Sequence, residues 1–498
     1  MVLYLLSVLA GAVLPLAFAP YQQFWLAPLS YAVLLYVWRD ATPRRAFGLG
    51  FAYGCGSFGF GTYWTYIAVR EFGEAPIALA GGLTLGLVAV LALFVAVGGY
   101  VAARWFRTRG AAAWLVTLPA LFVLAEWLRS WMFTGFGWLA AGYSQTDSWL
   151  MGYAPLVGIH GMSLAVLLTS GALLTLAFGT NRARVAAAVL VAAVWGGGFA
   201  ARQHAFTQPK EHELKVALVQ GAITQDLKWR PEQLPGTLAL YSELTRQSYG
   251  ADLIIWPEAA IPTLYEYVRD YLDDVRADAA QHGSTVLLGI LRLGPGGEAA
   301  GEFQNILLAM TEKPQVYVKR HLVPFGEYFP VPSFIRSWMR LMNLPYTDAV
   351  PGAHDQPPFA VGDEQVAVTI CYEDVFGAEQ LHYLPQATLL VNVSNDAWFG
   401  DSIAPHQHLQ IARVRAAEAG RYLLRATNTG LTAVIDPSGA VVSTVPQFQT
   451  AVLEHTVRGY TGATPYARFG NYPILLVVFV VLIVQLAPVT KLTMRPRT

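Results

Sequence analysis

Seven apolar runs crowd the first 205 residues of this chain, and an eighth lies near its end. They cover 3–19, 24–38, 47–68, 76–102, 111–128, 157–178, 185–201 and 472–486. A bilayer core takes about 20 helical residues to cross. Inside lipid every backbone polar group must be paired within the chain, so these runs are expected to be helices. Composition agrees: 54% of residues are hydrophobic and 13% charged, against roughly 25% charged in a soluble globular chain.

The formal net charge is zero, but the charges are split. Only Asp40, Glu71, Glu74, Glu126 and Asp147 precede Lys210. The segment 211–460 holds the other 28 acidic residues beside 17 Lys and Arg, an acidic excess of 11. Two materials are therefore joined in one chain, a basic-looped membrane part and an acidic, water-exposed domain. Nucleic acid is a poor partner for such a domain, because the phosphate backbone demands Lys and Arg.

The loops between the runs set orientation. One set carries Arg39, Arg44, Arg45, Arg104, Arg107, Arg109, Arg182, Arg184, Lys491, Arg495 and Arg497. The alternate set carries Arg70 and Arg129, with Arg202 and Lys210 just beyond the seventh run. By the positive-inside rule the richer set is cytoplasmic. Both termini are then inside and 211–460 faces out. The first run ends in Ala17-Phe18-Ala19, the spacing of a signal-peptidase site, but lacks the basic start of a leader and reads as a retained helix. The stretch 130–152 is too polar and aromatic for a plain span and reads as an interfacial or partly re-entrant loop. The expected domains are 1–205 (seven membrane helices), 211–460 (the water-exposed domain) and 468–498 (the final helix and a cytoplasmic tail).

Within 211–460, short apolar runs alternate with helical stretches. Strands are expected at 215–220, 253–256, 285–291, 306–310, 366–370, 388–393, 421–426 and 432–435, with helices at 231–249 and 406–420. The alternation points to an α/β domain. Asp436-Pro437-Ser438-Gly439 is a turn.

Three residues at strand ends could carry chemistry. Cys371, in VAVTICYEDVFG, ends a buried strand and is followed at once by Tyr372, Glu373 and Asp374. A free Cys is usually an inert core residue; these polar neighbours argue for a nucleophile instead. Cys55, in an apolar run, keeps the inert reading. Two cysteines exclude a disulfide framework and a structural zinc site of the usual kind. Glu258, in LIIWPEAAIP, sits after Trp-Pro at the end of another strand, where desolvation beside Trp256 would raise its pKa and suit a general base. Lys319, in YVKRHLVPFGEY, precedes a Pro-containing apolar stretch ending in Glu327, and a cation there can support an oxyanion. Alone, each favours a bland reading: an inert core cysteine, a solvated loop glutamate and a surface lysine. His406 and His408, two apart before a helix, have no neighbouring acids or cysteines and read as structural. There is no G-x-S-x-G elbow.

Taken together, WPE, the K-x-x-L-x-P-F-G-E stretch and the C-Y-E elbow resemble the nitrilase, or carbon–nitrogen hydrolase, superfamily. The likeness covers about 250 residues. It implies an αββα sandwich attached to a multi-span helical membrane domain. That sandwich set between seven spans and a last one resembles the apolipoprotein N-acyltransferase family, and LAFAPY, FTGFGWLAAGYSQ, VQGAITQDLKW, KRHLVPFGEYFP, VSNDAWFGDSIAPHQH and RATNTG agree.

The resemblance implies Glu258 as general base, Lys319 as oxyanion support and Cys371 as nucleophile. It adds supporting roles for Glu327 and Glu373, and substrate contacts at Trp229, Asn305, Tyr372, Trp398 and Phe399. The implied reaction moves an acyl chain from a phosphatidylethanolamine-like phospholipid, through a thioester on Cys371, to the α-amino group of a diacylglyceryl-cysteine at an apolipoprotein N-terminus. The implied home is the bacterial inner membrane, with the catalytic domain periplasmic. The scheme needs neither metal nor other cofactor, and nothing demands more than a monomer. The amphipathic stretch 331–346, with Phe334, Trp338 and Leu341, is expected to dip into the interface. Two rivals remain: a membrane-anchored amide hydrolase with the same three residues, which the many spans argue against, and an inactive sensor or transporter, which the complete Glu–Lys–Cys set argues against.

Overall fold

The structure is a computed structural model and describes residues 1–106, 108–297, 301–328 and 349–493. The 331–346 stretch lies outside the described residues. The chain divides into two compact units. The first comprises Met1–Phe206, Asp401–Glu418 and Thr464–Thr498, and the second Thr207–Gly400 and Ala419–Ala463.

The first unit is helical. Three of its described helices are long and apolar enough to cross a membrane: Ile77–Trp105, Trp149–Phe178 and Asn181–Arg202. Val2–Ala17, Leu26–Trp38 and Tyr472–Leu486 are shorter apolar helices. The 130–152 stretch forms 3-10 turns at Met132–Thr134, Ala141–Gln145 and, at its end, Trp149–Tyr153. Two buried charges on the Leu118–Arg129 helix hold it. Glu126 accepts from the Ala141 amide at 2.8 Å and from the Ser163 hydroxyl. Arg129 donates to the carbonyls of Phe136 and Trp138 at 2.7 and 2.6 Å. Irregular backbone away from water needs such partners.

The Ala404–Ala419 helix leaves the sequence of the second unit and groups with the first. Its polar side chains explain why. Gln407 donates to the Gly61 carbonyl at 3.2 Å, and Gln410 accepts from the Ala19 amide at 3.1 Å. Arg413 pairs with Asp147 at 2.7 Å. Glu418 pairs with Arg415 at 2.9 Å and accepts the Ile159 amide at 2.8 Å. That amide is an orphan, because the Ala154–Phe178 helix kinks at Gly158, whose φ is +65°. Gly158 is required there twice over, since a Cβ would also lie 2.2 Å from the Tyr466 ring. Glu418 thus caps, from a distant segment, the helix that restarts at Ile159.

The second unit is a two-sheet sandwich. Its strands are β1 (Thr207–Gln220), β2 (Leu253–Ile255), β3 (Ile261–Leu264), β4 (Thr285–Leu293), β5 (Phe303–Ala309), β6 (Gln315–Val318), β7 (Phe359–Val361), β8 (Glu364–Ile370), β9 (Leu389–Ser394), β10 (Leu423–Thr427), β11 (Ala433–Ile435), β12 (Val441–Thr444) and β13 (Ala451–Gly462). One sheet runs β13-β1-β2-β4-β5-β6, with β3 beside β4; the other runs β12-β11-β10-β9-β8-β7. Alternate side chains point to opposite faces. Val216 and Leu218, with Leu253, Ile255 and Leu287, face Val366, Val368, Ile370, Val391 and Leu424 in the core between the sheets. Ala217, Val219, Ile254 and Val286 face outward, onto the helices Leu234–Gln247 and Arg269–Gln281. Burial on both faces is why these strands read as unbroken apolar runs.

The expected strands are all present, with shifted ends. β3, β7, β12, β13 and the Arg269–Gln281 helix are not among the expected elements. They carry little apolar pattern; β13 alternates buried and exposed residues only loosely.

Candidate active site

Glu258 and Cys371 lie just past the C-terminal ends of β2 and β8, strands paired in parallel with their neighbours, where open α/β sheets usually bind ligands. β2 stops at Ile255, and the Trp-Pro-Glu turn is pinned to β4 on both sides. The Trp256 amide donates to the Leu287 carbonyl at 2.8 Å, and the Ala260 amide to the Gly289 carbonyl at 2.9 Å. A Cβ on Gly289 would lie 2.6 Å from Glu258 Cα, so only glycine lets this turn approach. Ala259 completes it at φ +46°.

Lys319 follows β6 directly, and its amide still bonds to the Asn305 carbonyl on β5 at 2.9 Å. The side chains then converge. Lys319 Nζ, buried with 1% of its side chain exposed, lies 3.3 Å from Glu258 Oε1 and 2.9 Å from Glu327 Oε1. Asn305 Nδ2 donates to the same two oxygens at 2.8 and 3.2 Å. The second oxygen of Glu258 accepts the Asn395 amide at 2.9 Å, and that of Glu327 accepts the Val323 amide at 2.8 Å. One ammonium thus sits between a buried carboxylate, Glu258, and a half-buried one, Glu327, each aimed by a main-chain N–H group.

Cys371 follows β8 at φ +53°, in the left-handed region. A non-glycine residue there costs on the order of 1–3 kcal/mol and persists only where its surroundings over-determine it. Glu373 is one reason it persists. One of its oxygens accepts the Ile370 amide at 2.7 Å; the other accepts the Arg320 amide at 2.7 Å and the Tyr317 hydroxyl at 2.9 Å. Arg425, fully buried on β10, is the other. It pairs with Asp396 at 2.9 Å and Asp374 at 3.6 Å and donates to Asn392, which itself reaches the Cys371 carbonyl at 3.5 Å. The elbow that presents Cys371 and the β9 end whose amide holds Glu258 are therefore clamped to one guanidinium.

The electrostatics correct one expectation. Burial does push the Glu258 carboxyl upward, but the ammonium of Lys319, the Asn305 amide and Lys228 outweigh it and hold the group below the usual carboxylate range. Burial also favours a neutral Lys319, yet Glu258 and Glu327 raise it and keep it protonated. Burial and the Glu258 charge push the Cys371 thiol well up, with Lys319 opposing. At rest Glu258 is an ionised carboxylate and Lys319 a charged ammonium, both coupled to a neutral Cys371 thiol. Burial raises Glu373, against the amides that bond it.

The structure brings together Glu258, Lys319, Glu327 and Asn305, with Cys371 electrostatically coupled to the first two. Glu373 supports the elbow rather than the cluster. Tyr372 is buried edge-on to Phe376 at 5.1 Å. Trp229 and Trp398 are exposed, at 44% and 40%, and Phe399 is half-buried. Trp398 and Phe399 lie three and four residues past Asn395. Sequence reasoning missed Asn395, Arg425, Asp396 and Lys228. Arg425, Asn395 and Lys228 stand in the quoted stretches RATNTG, VSNDAWFGDSIAPHQH and VQGAITQDLKW, the one signal that pointed to them.

The two-sheet sandwich, with Glu258, Lys319 and Cys371 beside its strand ends, has the fold of the carbon–nitrogen hydrolases. The family model for Carbon-nitrogen hydrolase matches residues 215–466. The model for Apolipoprotein N-acyltransferase N-terminal domain matches residues 10–172. The apolipoprotein N-acyltransferase of Methylococcus capsulatus is 42% identical over 471 residues, 94% of this chain and 93% of that protein. That of Nitrosomonas europaea is 43% identical, covering 91% of each, and that of Coxiella burnetii 39% identical, covering 96% of this chain and 98% of its own. The chain belongs to the apolipoprotein N-acyltransferase family.

Proposed function

We propose that this protein transfers a fatty acyl chain from a phospholipid of the phosphatidylethanolamine type to the α-amino group of diacylglyceryl-cysteine in apolipoproteins. The observation that carries the reading is the Glu258–Lys319–Glu327 cluster coupled to the Cys371 elbow, in a chain of this family.

Cys371 attacks the ester carbonyl, and its proton passes to Glu258. Lys319 stabilises the oxyanion, a contribution of about 3–4 kcal/mol for one well-placed donor. As Lys319 turns its charge to the oxyanion, Glu258 loses part of the field that keeps it ionised and becomes a better base. The carbon–oxygen bond breaks, and Glu258 returns the proton to the departing lyso-lipid. The lipoprotein amine then attacks the thioester; a nitrogen–carbon bond forms, the carbon–sulfur bond breaks, and Glu258 carries the amine proton to the thiolate. This is a ping-pong sequence through a covalent intermediate. Glu327 holds Lys319, Glu373 holds the elbow, and Trp229, Asn305, Tyr372, Trp398 and Phe399 contact substrate.

The proposed setting is the bacterial inner membrane, with eight spans, both termini cytoplasmic, the domain 211–460 periplasmic, and a monomer as the working unit. The acidic excess of 11 charges in 211–460 and the Arg-rich set of loops support it.

Intact-protein mass spectrometry after incubation with phosphatidylethanolamine, without an amine acceptor, tests the chemistry. The expected result is an acyl adduct that maps to Cys371, is released by hydroxylamine and is absent from Cys371→Ala. Transfer to a diacylated lipopeptide on chasing completes it. Folded protein that forms no adduct, or releases only free fatty acid when chased, overturns the reading in favour of a hydrolase.

A further inference from the structure

Lys228 ends the short helix Gln225–Lys228 of the sandwich unit and is buried, with 1% exposed. A desolvated ammonium normally meets a carboxylate at contact distance. Among the described residues this one has a single hydrogen-bond partner, the main-chain carbonyl of Glu258, at 3.3 Å. The partner belongs to the residue placed as the base, in a turn packed against Gly289, where a Cβ would clash, and completed by the left-handed Ala259.

We propose that Lys228 is a positioning residue for Glu258: its buried ammonium holds that residue's carbonyl and biases its side chain to the charged, proton-accepting form. The inference rests on Glu258 being the base. The charged and titratable groups facing Glu258 are Lys319 and Glu327 from the segment after β6, Cys371 after β8, and Lys228. Lys228 is the one of these cations that does not have to leave Glu258 when the oxyanion forms. It therefore keeps the carboxylate ionised between turnovers without competing for the substrate. Burial brings the Lys228 ammonium down to about 8, with Glu258 opposing, so this bias persists through neutral pH.

The test is the pH dependence of adduct formation at Cys371 with phosphatidylethanolamine, using full-length protein in nanodiscs. The acid limb of the wild-type profile reports Glu258. In Lys228→Met the limb is expected to move up by about one pH unit, and the rate on the plateau above it to fall because the Glu258 carbonyl loses its donor. Lys228→Gln, which keeps a donor but no charge, shows the same displacement with a smaller loss of rate. Lys228→Arg restores the limb. The limb position does not depend on how much protein is folded, so partial misfolding cannot imitate the shift. A limb that stays in place in both neutral variants overturns the proposal. Glu258→Gln separates the two ideas: an adduct at the wild-type rate in that variant removes the base assignment itself, whereas its loss beside an unmoved Lys228→Met limb removes only the role of Lys228.

Discussion

Lys319 is the residue on which the charge balance of the site turns. Two carboxylates share its single buried ammonium, at 3.3 and 2.9 Å. Lys319→Met is expected to lower the rate of Cys371 acylation by about 10²–10³, the loss seen when one oxyanion donor is removed. It also leaves Glu258 and Glu327 as like charges facing one another. Glu258 then titrates higher, and the acid limb of the pH profile moves up. Glu327→Gln keeps one anionic partner for Lys319 and is expected to cost less than Lys319→Met in the same assay. In the wild type Glu258 lies below the usual carboxylate range, so acylation persists as pH falls toward the ordinary value of about 4.3 and is lost below it.

At the scale of elements, Arg425 and Glu418 each tie distant segments together. Arg425→Met removes the partner of two buried aspartates. Breaking a buried ion pair costs about 3–5 kcal/mol, and differential scanning fluorimetry in detergent should show a markedly lower unfolding temperature. Glu418→Ala uncaps the helix restart at Ile159. It also leaves the buried Arg415 without its carboxylate, so the expected loss is about 3–5 kcal/mol, in the same measurement. The apolar strands of the sandwich were legible because burial on both faces leaves a run such as Leu253–Ile255 with no polar residue. The Arg269–Gln281 helix was not: Leu272, Val275 and Ala279 are its only buried side chains, too thin a stripe to stand out.

For the whole molecule, orientation and pH stability are both checkable. A fluorescent protein fused after residue 498 is expected to fold in the cytoplasm, whereas single cysteines placed on exposed loops of 211–460 should be labelled by an impermeant thiol reagent in spheroplasts. Cytoplasmic protection of those loops would reverse the assignment from the Arg-rich loops. Lys228 adds a linkage signature. Its folded value of about 8 lies below the unfolded 10.5, so in that window the unfolded chain binds more protons and stability rises with pH. Two and a half units correspond to on the order of 3 kcal/mol. Lys228→Met should lack this rise when its unfolding temperature is compared with wild type from pH 8 to 10.5.

What the sequence determined by itself was material and inventory. Hydropathy separated the membrane helices from the acidic sandwich, because lipid and water select opposite residue types. Residue identity beside strand ends, joined with family resemblance, picked out Glu258, Lys319 and Cys371. What only the tertiary structure decided was who faces whom. Desolvation beside Trp256 argued for a raised Glu258, yet an ammonium brought from 61 residues away reversed the sign. The Ala404–Ala419 helix reads as part of the sandwich, yet its glutamines and charges find partners among the membrane helices. A lysine is ordinarily left at the surface, yet folding buries Lys228 against the backbone of Glu258. In each case the deciding energy is a Coulomb or hydrogen-bond interaction between residues far apart in the chain. Its size is set by distance and burial, which a linear sequence does not carry.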